Sequence, residues 1–418
     1  MQGEIITIGN ELTSGRALDL NAWYVAEKLA SHGVPVTRIT TVGDDPIRVS
    51  RAIKDAMGES DFVVVTGGLG STDDDITNQI VADALQRPLL LHREKLEQIR
   101  KHVEANGLRM SRSFEKMAWM PKDSQVFNPE EEMCGFSLVE GKVALYFLPG
   151  VPEQMRHLMD TYVLPEILSR YASQPVTRQR ILKIYGLSEP EISEHLKNLS
   201  KTHPDLILGF YPHYPENHVS VSMNGKDVQT VAEEVERLEK EIRAALGQYI
   251  FGSDDDTLAS VAGKLLKGKG LTLSVAESCT GGLVGNLVTN VAGSSSYFMG
   301  GIVTYSNQAK IDMLQVDPQI LADHGAVSEP TVRRMAEGVR AAFKSDLGLA
   351  VTGIAGPEGG SREKPVGTVH VGLASASGTF SQKYLFRGKR KQIKMNSAMM
   401  ALDWARRFLC GYPFIPGL

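Results

Sequence analysis

The sequence predicts an α/β protein built of three modules: an α/β domain at each end and a small α+β domain between them. Three observations carry this. Through the first 165 residues β-branched runs alternate with helical patterns, which implies strands joined by crossover helices. Near residue 175 the rhythm changes, and near residue 257 the strand–helix alternation returns. A chain of 418 residues also exceeds what one hydrophobic core ordinarily serves.

Taken in order, "GEIITIGN" (3–10) reads as a strand and "NAWYVAEKLASHG" (21–33) as a helix stopped by glycine. "VPVTRITTVG" (34–43) is a strand, "PIRVSRAIKDAMGE" (46–59) a helix and "SDFVVVTGG" (60–68) a strand. "VALYFLPG" (143–150) adds a strand and "PEQMRHLMDTYVLPEIL" (152–168) a helix, closing a first domain over 1–170. Repeated strand–helix–strand units predict parallel pairing. Residues 171–250 hold "RQRILKIYG", "EPEISEHLKNLS", "DLILGFYPHYPENHVSVSMNG" and the amphipathic "VQTVAEEVERLEKEIRAALG", a small α+β domain. "YIFGSDDDT" (249–257) reads as a linker. The last domain, 257–418, opens on helix "LASVAGKLLKGKG" and strand "LTLSVAE", with a helix expected from Thr280. Strands "GGIVTYS", "LGLAVTGIAGP", "GTVHVGLAS" and "SQKYLFRG" follow, with helices "EPTVRRMAEGVRAAFKS" and "KQIKMNSAMMALDWARRFL".

Composition narrows the function classes. Hydrophobic residues make up 42% and charged residues 22%, with a formal charge of −4, as in ordinary globular proteins. No long basic block accompanies aromatic residues, which argues against a nucleic-acid partner. No apolar run approaches membrane-spanning length and no leader is visible, so the expected location is the cytoplasm, away from membranes. Cys134, Cys279 and Cys410 fit no metal or redox spacing.

"TGGLGSTDDDIT" (66–77) follows a buried strand and precedes a helix. Glycines allow close backbone approach to a ligand, and amides at the helix start favour an anion. Asp73, Asp74 and Asp75 would repel a phosphate unless a divalent cation lay between them. Asp44 and Asp45 of "VGDDP" share the same sheet edge. The alternative is a solvated first helical turn, favoured by the dipole.

With "GNELTSGRALDLNAWYVAEKL", "LPGVPEQM" and "YPHYPENHVSV", these segments resemble the CinA (competence/damage-inducible protein A) family along essentially the whole chain. The resemblance implies a three-layer amino-terminal domain related in fold to molybdopterin-binding enzymes and associated with ADP-ribose pyrophosphatase activity. It makes Asp44 and Asp75 carboxylates for a divalent metal (cobalt, manganese or magnesium), with Glu11, Asn21, Gly67, Gly68 and Gly70 around a nucleotide. Ser71 stands where the family pattern has proline, and "NPEEEMCGF" (128–136) replaces a small-residue loop.

In "AESCTGG" a hydrophobic strand ends in small polar residues, so Ser278 is either a helix cap or a nucleophile. With "AGSSSYFMGGIVTYSNQAK", "HGAVSEP", "VTGIAGPEGGSREKPVGTVHVG" and "FRGKR", this segment resembles the family's carboxy-terminal domain, similar to nicotinamide-nucleotide amidases. Those enzymes convert nicotinamide mononucleotide to nicotinic acid mononucleotide and ammonia, and the resemblance implies a homo-oligomer, a dimer, that needs no cofactor for this reaction.

Amide hydrolysis needs a nucleophile, a base and donors for the oxyanion. Thr280, Gly281 and Gly282 offer backbone donors. His324 reads as a helix-end residue and His370 as packing in a strand, which leaves Lys310 as the base if burial lowers its pKa from about 10.4. Tyr305 is expected to hydrogen-bond both Ser278 and Lys310; the resemblance implies this Ser–Tyr–Lys set. Cys279 is a rival nucleophile, expected to be buried. Arg390 and the turn Gly293, Ser294, Ser295 are expected to hold the substrate's phosphate, with Thr352 and Gly353 lining the ligand. The competing class is a nucleotide-sensing or competence-related interaction protein that binds without turnover.

Overall fold

The computed structural model describes residues 2–127, 134–170, 176–203, 205–225 and 227–417; most of the "NPEEEMCGF" loop, 128–133, lies outside them. The chain divides into two compact units, Met1–Gln179 with Met223–Val235, and Arg180–Ser222 with Glu236–Leu418.

In the first unit a six-stranded sheet runs in the order Val36–Val42, Gly3–Ile8, Phe62–Thr66, Val143–Leu148, Phe136–Glu140, Gln125–Val126. The first four strands pair in parallel, as the strand–helix alternation predicts. The last two are antiparallel, a departure from the all-parallel expectation. The reason is local: Phe136–Glu140 and Val143–Leu148 are joined by a tight turn at Gly141, too short for a crossover. Both faces are covered, giving three layers. Ile5 and Val64 pack with Val25 and Leu29 on one side, while Ile6, Val63 and Val65 pack with Val49, Ile53 and Val81 on the other.

The second unit contains most of the α+β module and the carboxy-terminal domain. The module's sheet runs Ile207–His213, Glu216–Gly225, Val176–Ile184, Ile250–Ser253. That last strand corrects the linker reading of 249–257. Ile250 and Phe251 are buried, and the strand pairs antiparallel with residues 182–184. The acidic run that suggested a linker starts only at Asp254, whose carboxylate accepts from the Ile181 amide at 3.0 Å.

The carboxy-terminal sheet runs Phe298–Val303, Leu273–Glu277, Leu347–Gly353, Thr368–Ser375, Gly378–Leu385. The first three strands are parallel and the last two antiparallel. Helix Glu329–Phe343 packs one face through Val332, Met335 and Val339; helices Leu258–Lys269 and Arg390–Cys410 pack the other through Leu266, Ile393 and Trp404. Among the described residues no helix is long and apolar enough to cross a membrane.

Candidate active site

Ser278 follows the last residue of strand Leu273–Glu277, and its amide extends the ladder by donating to Val351 O at 3.0 Å. The helix expected from Thr280 begins at Leu283 instead, because Gly281 and Gly282 take φ of 61° and 94° and turn the chain. Ser278 therefore caps no helix. The cap is Glu277, 2% exposed, whose carboxylate accepts from the amides of Gly282 (2.9 Å), Val284 (3.1 Å) and Gly285 (2.8 Å). Sequence reasoning missed this residue; its signal was an acidic side chain closing an apolar strand just before a glycine-led helix.

This cap changes the donor set. The Gly282 amide is committed to Glu277, and the Gly281 amide donates to Ser278 O at 3.1 Å. Of the three expected oxyanion donors only Thr280 keeps a free N–H, joined by Cys279; neither has an acceptor among the described residues.

Parallel pairing brings the second strand end beside the serine. Glu277 lies opposite Val303, and the Thr304 amide donates to Glu277 O at 2.8 Å. Ser306 then caps helix Asn307–Leu314, accepting from the Ala309 amide, and the first turn carries Lys310 inward. Lys310 is 1% exposed; its Nζ donates to Thr304 O at 2.7 Å and lies 3.1 Å from Ser278 Oγ. Burial lowers the amine's pKa, opposed in part by the neighbouring Cys279. Cys279 is 5% exposed and burial pushes its pKa up to about 12, so it stays a thiol and a poor nucleophile.

These groups open on a cavity of about 180 Å³ lined by Ser278, Tyr305, Lys310, Thr352, Gly353 and Arg390. Tyr305 departs from its expected relay position. Its hydroxyl accepts from Arg390 Nη2 at 2.9 Å and bonds neither Ser278 nor Lys310, because the side chain points to the mouth and is exposed. Arg390 Nη1 donates to Gly356 O at 2.7 Å, so both its partners are neutral. Lys394, one helical turn on, was not anticipated. It makes no ion pair among the described residues, and a methyl group on Gly281 would stand 3.5 Å from its Nζ. Thr352 uses its hydroxyl to hold the Ala326 carbonyl at 2.8 Å.

Gly293, Ser294 and Ser295 do not reach this cavity. They precede strand Phe298–Val303, whose first residue pairs with Leu273, at the end of the sheet opposite Ser278. His324 ends helix Pro318–His324, and His370 is buried in its strand with its pKa pushed down to about 4 by desolvation.

In the amino-terminal domain, Asp44 follows strand Val36–Val42 while Gly67 and Asp75 follow Phe62–Thr66, the two strands that flank Gly3–Ile8 in parallel. Each side chain there has a local partner. Asp44 accepts from the Asn10 amide at 2.9 Å, and Asp75 accepts from the Thr72 amide at 2.9 Å and its hydroxyl at 2.6 Å. Side chains added at Gly67, Gly68 or Gly70 would collide with Ile8 O, Thr77 Oγ1 and the Asp75 carboxylate, so these glycines serve close packing of the loop on the neighbouring strand and on itself. Glu11 is exposed, its carboxylate against Gly9. Buried Asn21 donates to Thr66 Oγ1 (2.9 Å) and Gly150 O (2.8 Å), leaving its Oδ1 without a partner. Among the described residues no three Asp, Glu, His or Cys side chains converge as a cation site.

The comparisons with known proteins agree with the modular reading. Residues 4–169 match the model of a probable molybdopterin binding domain, 179–252 the damage-inducible protein CinA KH domain, and 255–409 the CinA C-terminal domain. A CinA-like protein of Desulfotalea psychrophila is 40% identical over 410 residues, spanning 98% of this chain and 99% of its own. A CinA-like protein of Geobacter sulfurreducens is 40% identical over 405 residues, spanning 97% of this chain and 98% of its own. Three domain models in sequence and relatives aligned nearly end to end leave one conclusion: the chain belongs to the CinA family.

Proposed function

We propose that the carboxy-terminal site is an amidase that converts nicotinamide mononucleotide to nicotinic acid mononucleotide and ammonia, recycling pyridine nucleotides. The single observation behind it is the buried Lys310 amine, 3.1 Å from Ser278 Oγ with a lowered pKa. A neutral lysine accepts the serine proton as Oγ attacks the amide carbon. The oxyanion that forms is met by the amides of Cys279 and Thr280. Lys310 returns the proton to the departing nitrogen, releasing ammonia and leaving a nicotinoyl ester on Ser278. Water, deprotonated by Lys310, then cleaves that ester to give the acid and restore the hydroxyl.

Arg390 and Lys394 supply the positive charge for the substrate's phosphate, with Tyr305 holding Arg390 in place. A dimer would give Gly293, Ser294 and Ser295 a route to a neighbouring cavity, since within one chain the turn sits at the other end of the strand.

The test is ammonia release from nicotinamide mononucleotide by the wild type and Ser278→Ala. An amidase loses turnover in the variant; a sensor that binds without turnover shows none in either and keeps its affinity in both. At the amino-terminal edge, the partnerless Asn21 Oδ1 supports nucleotide binding. ADP-ribose hydrolysis with and without cobalt, manganese or magnesium, with Asp75→Ala as control, tests for a hydrolytic step there.

A further inference from the structure

The middle module meets the carboxy-terminal domain on the helix that carries both candidate phosphate-binding cations. Strands Ile207–His213 and Glu216–Gly225 are joined through Tyr214 and Pro215. The Tyr214 hydroxyl donates to Gln392 O at 3.1 Å and accepts from Asn396 Nδ2 at 2.6 Å. The Tyr185 hydroxyl donates to Asn396 O at 3.4 Å. Farther along the same helix, Arg406 Nη2 donates to Gln248 O at 2.8 Å, its guanidinium fixed by the buried Asp403. The module therefore grips Arg390–Cys410 near both ends.

The geometry at the amino-terminal end is two-sided. Gln392 and Asn396 each stand two residues after Arg390 and Lys394, roughly 200° around an α-helix. One face of the first two turns is held by Tyr214 while the other presents its cations to the Ser278 loop. Beside Tyr214 a cavity of about 300 Å³, lined by Leu258, Leu287, Met399 and Leu402 among others, separates the hairpin from the helices. Hydrogen bonds, more than close packing, tie hairpin to helix here.

We propose that Tyr214 is a positioning residue for the carboxy-terminal site. It fixes the first two turns of the last helix and so sets the reach of Arg390 and Lys394 toward the substrate's phosphate. This gives the middle module a part in substrate affinity, and it rests on reading the site as one for a phosphate-bearing nicotinamide nucleotide.

The test measures binding in the Ser278→Ala background, where no turnover is needed. Titration calorimetry with nicotinamide mononucleotide and with nicotinamide riboside, which lacks the phosphate, compares Tyr214→Phe with its parent. We expect the mononucleotide to bind roughly three- to tenfold more weakly, the scale of one or two lost hydrogen bonds, and the riboside to be unaffected. In the active protein the same change raises KM and leaves kcat within about twofold. Asn396→Ala removes one of these bonds from the helix side and should reproduce the effect, with the double variant no worse than the stronger single. Unchanged mononucleotide binding in Tyr214→Phe, or equal weakening of both ligands, overturns the proposal. Absence of mononucleotide binding to Ser278→Ala itself sinks the substrate reading along with it. Tight binding with no ammonia released by the wild type sinks only the amidase reaction.

Discussion

Lys310 Nζ and Ser278 Oγ stand 3.1 Å apart although 32 residues separate them in sequence. Each sits just beyond the carboxyl end of a strand, and the two strands are parallel neighbours paired Glu277 to Val303. The amine is buried and bonded to a neutral carbonyl, Thr304 O. Without a carboxylate partner among the described residues, it is an amine suited to accepting a proton.

Removal of the nucleophile should be nearly complete in effect. Ser278→Ala is expected to lower kcat by roughly a thousandfold or more while leaving substrate affinity close to that of the wild type. Cys279→Ser should retain turnover within a few-fold, because the buried thiol is not ionised at neutral pH. Ammonia release and calorimetry on both variants check this.

Replacing the base separates activity from stability. Lys310→Met should abolish turnover, and the wild-type rate should rise with pH through a value below the ordinary lysine range of about 10.4. The sign for stability follows from the lowered folded-state pKa. Between that value and the unfolded one, the unfolded chain holds the proton and the folded chain does not, so stability rises with pH across that window. At neutral pH Lys310→Met should therefore melt no lower than the wild type. A variant markedly less stable near pH 7 would contradict this.

Glu277 is the structural keystone of the serine loop. Glu277→Ala leaves three helix-start amides without their charged acceptor and should cost roughly 2–4 kcal/mol, while Glu277→Gln, which keeps an acceptor oxygen, should cost less. Urea unfolding measures both. A cost below half a kcal/mol for the alanine variant would show that water replaces the carboxylate easily.

Charge at the cavity mouth should discriminate substrates. Arg390→Ala is expected to raise KM for nicotinamide mononucleotide roughly 10- to 100-fold, with a smaller rise for Lys394→Ala. Neither change should affect the riboside. Equal losses on both substrates would assign these cations a structural task.

The proposed chemistry runs on the chain's own side chains and backbone amides. Ammonia release should persist after exhaustive treatment with a chelator, and loss of activity restored by a divalent ion would overturn the serine–lysine mechanism.

Local sequence determined the strand–helix alternation, the three modules, and the serine that ends an apolar strand, because hydrophobic period and turn residues act over a few neighbours. The motif resemblance also singled out Lys310. Partner choice was decided elsewhere. Whether Tyr305 met Lys310 or Arg390, whether the 293–295 turn reached the serine, and which carboxylate capped the helix all depended on register and strand direction, set by pairing between distant segments. The Ile250–Ser253 strand was hidden for the same reason: its burial needs Val176–Ile184 beside it. Sequence shows which side chains are able to react; only the packed sheet decides which of them share an end.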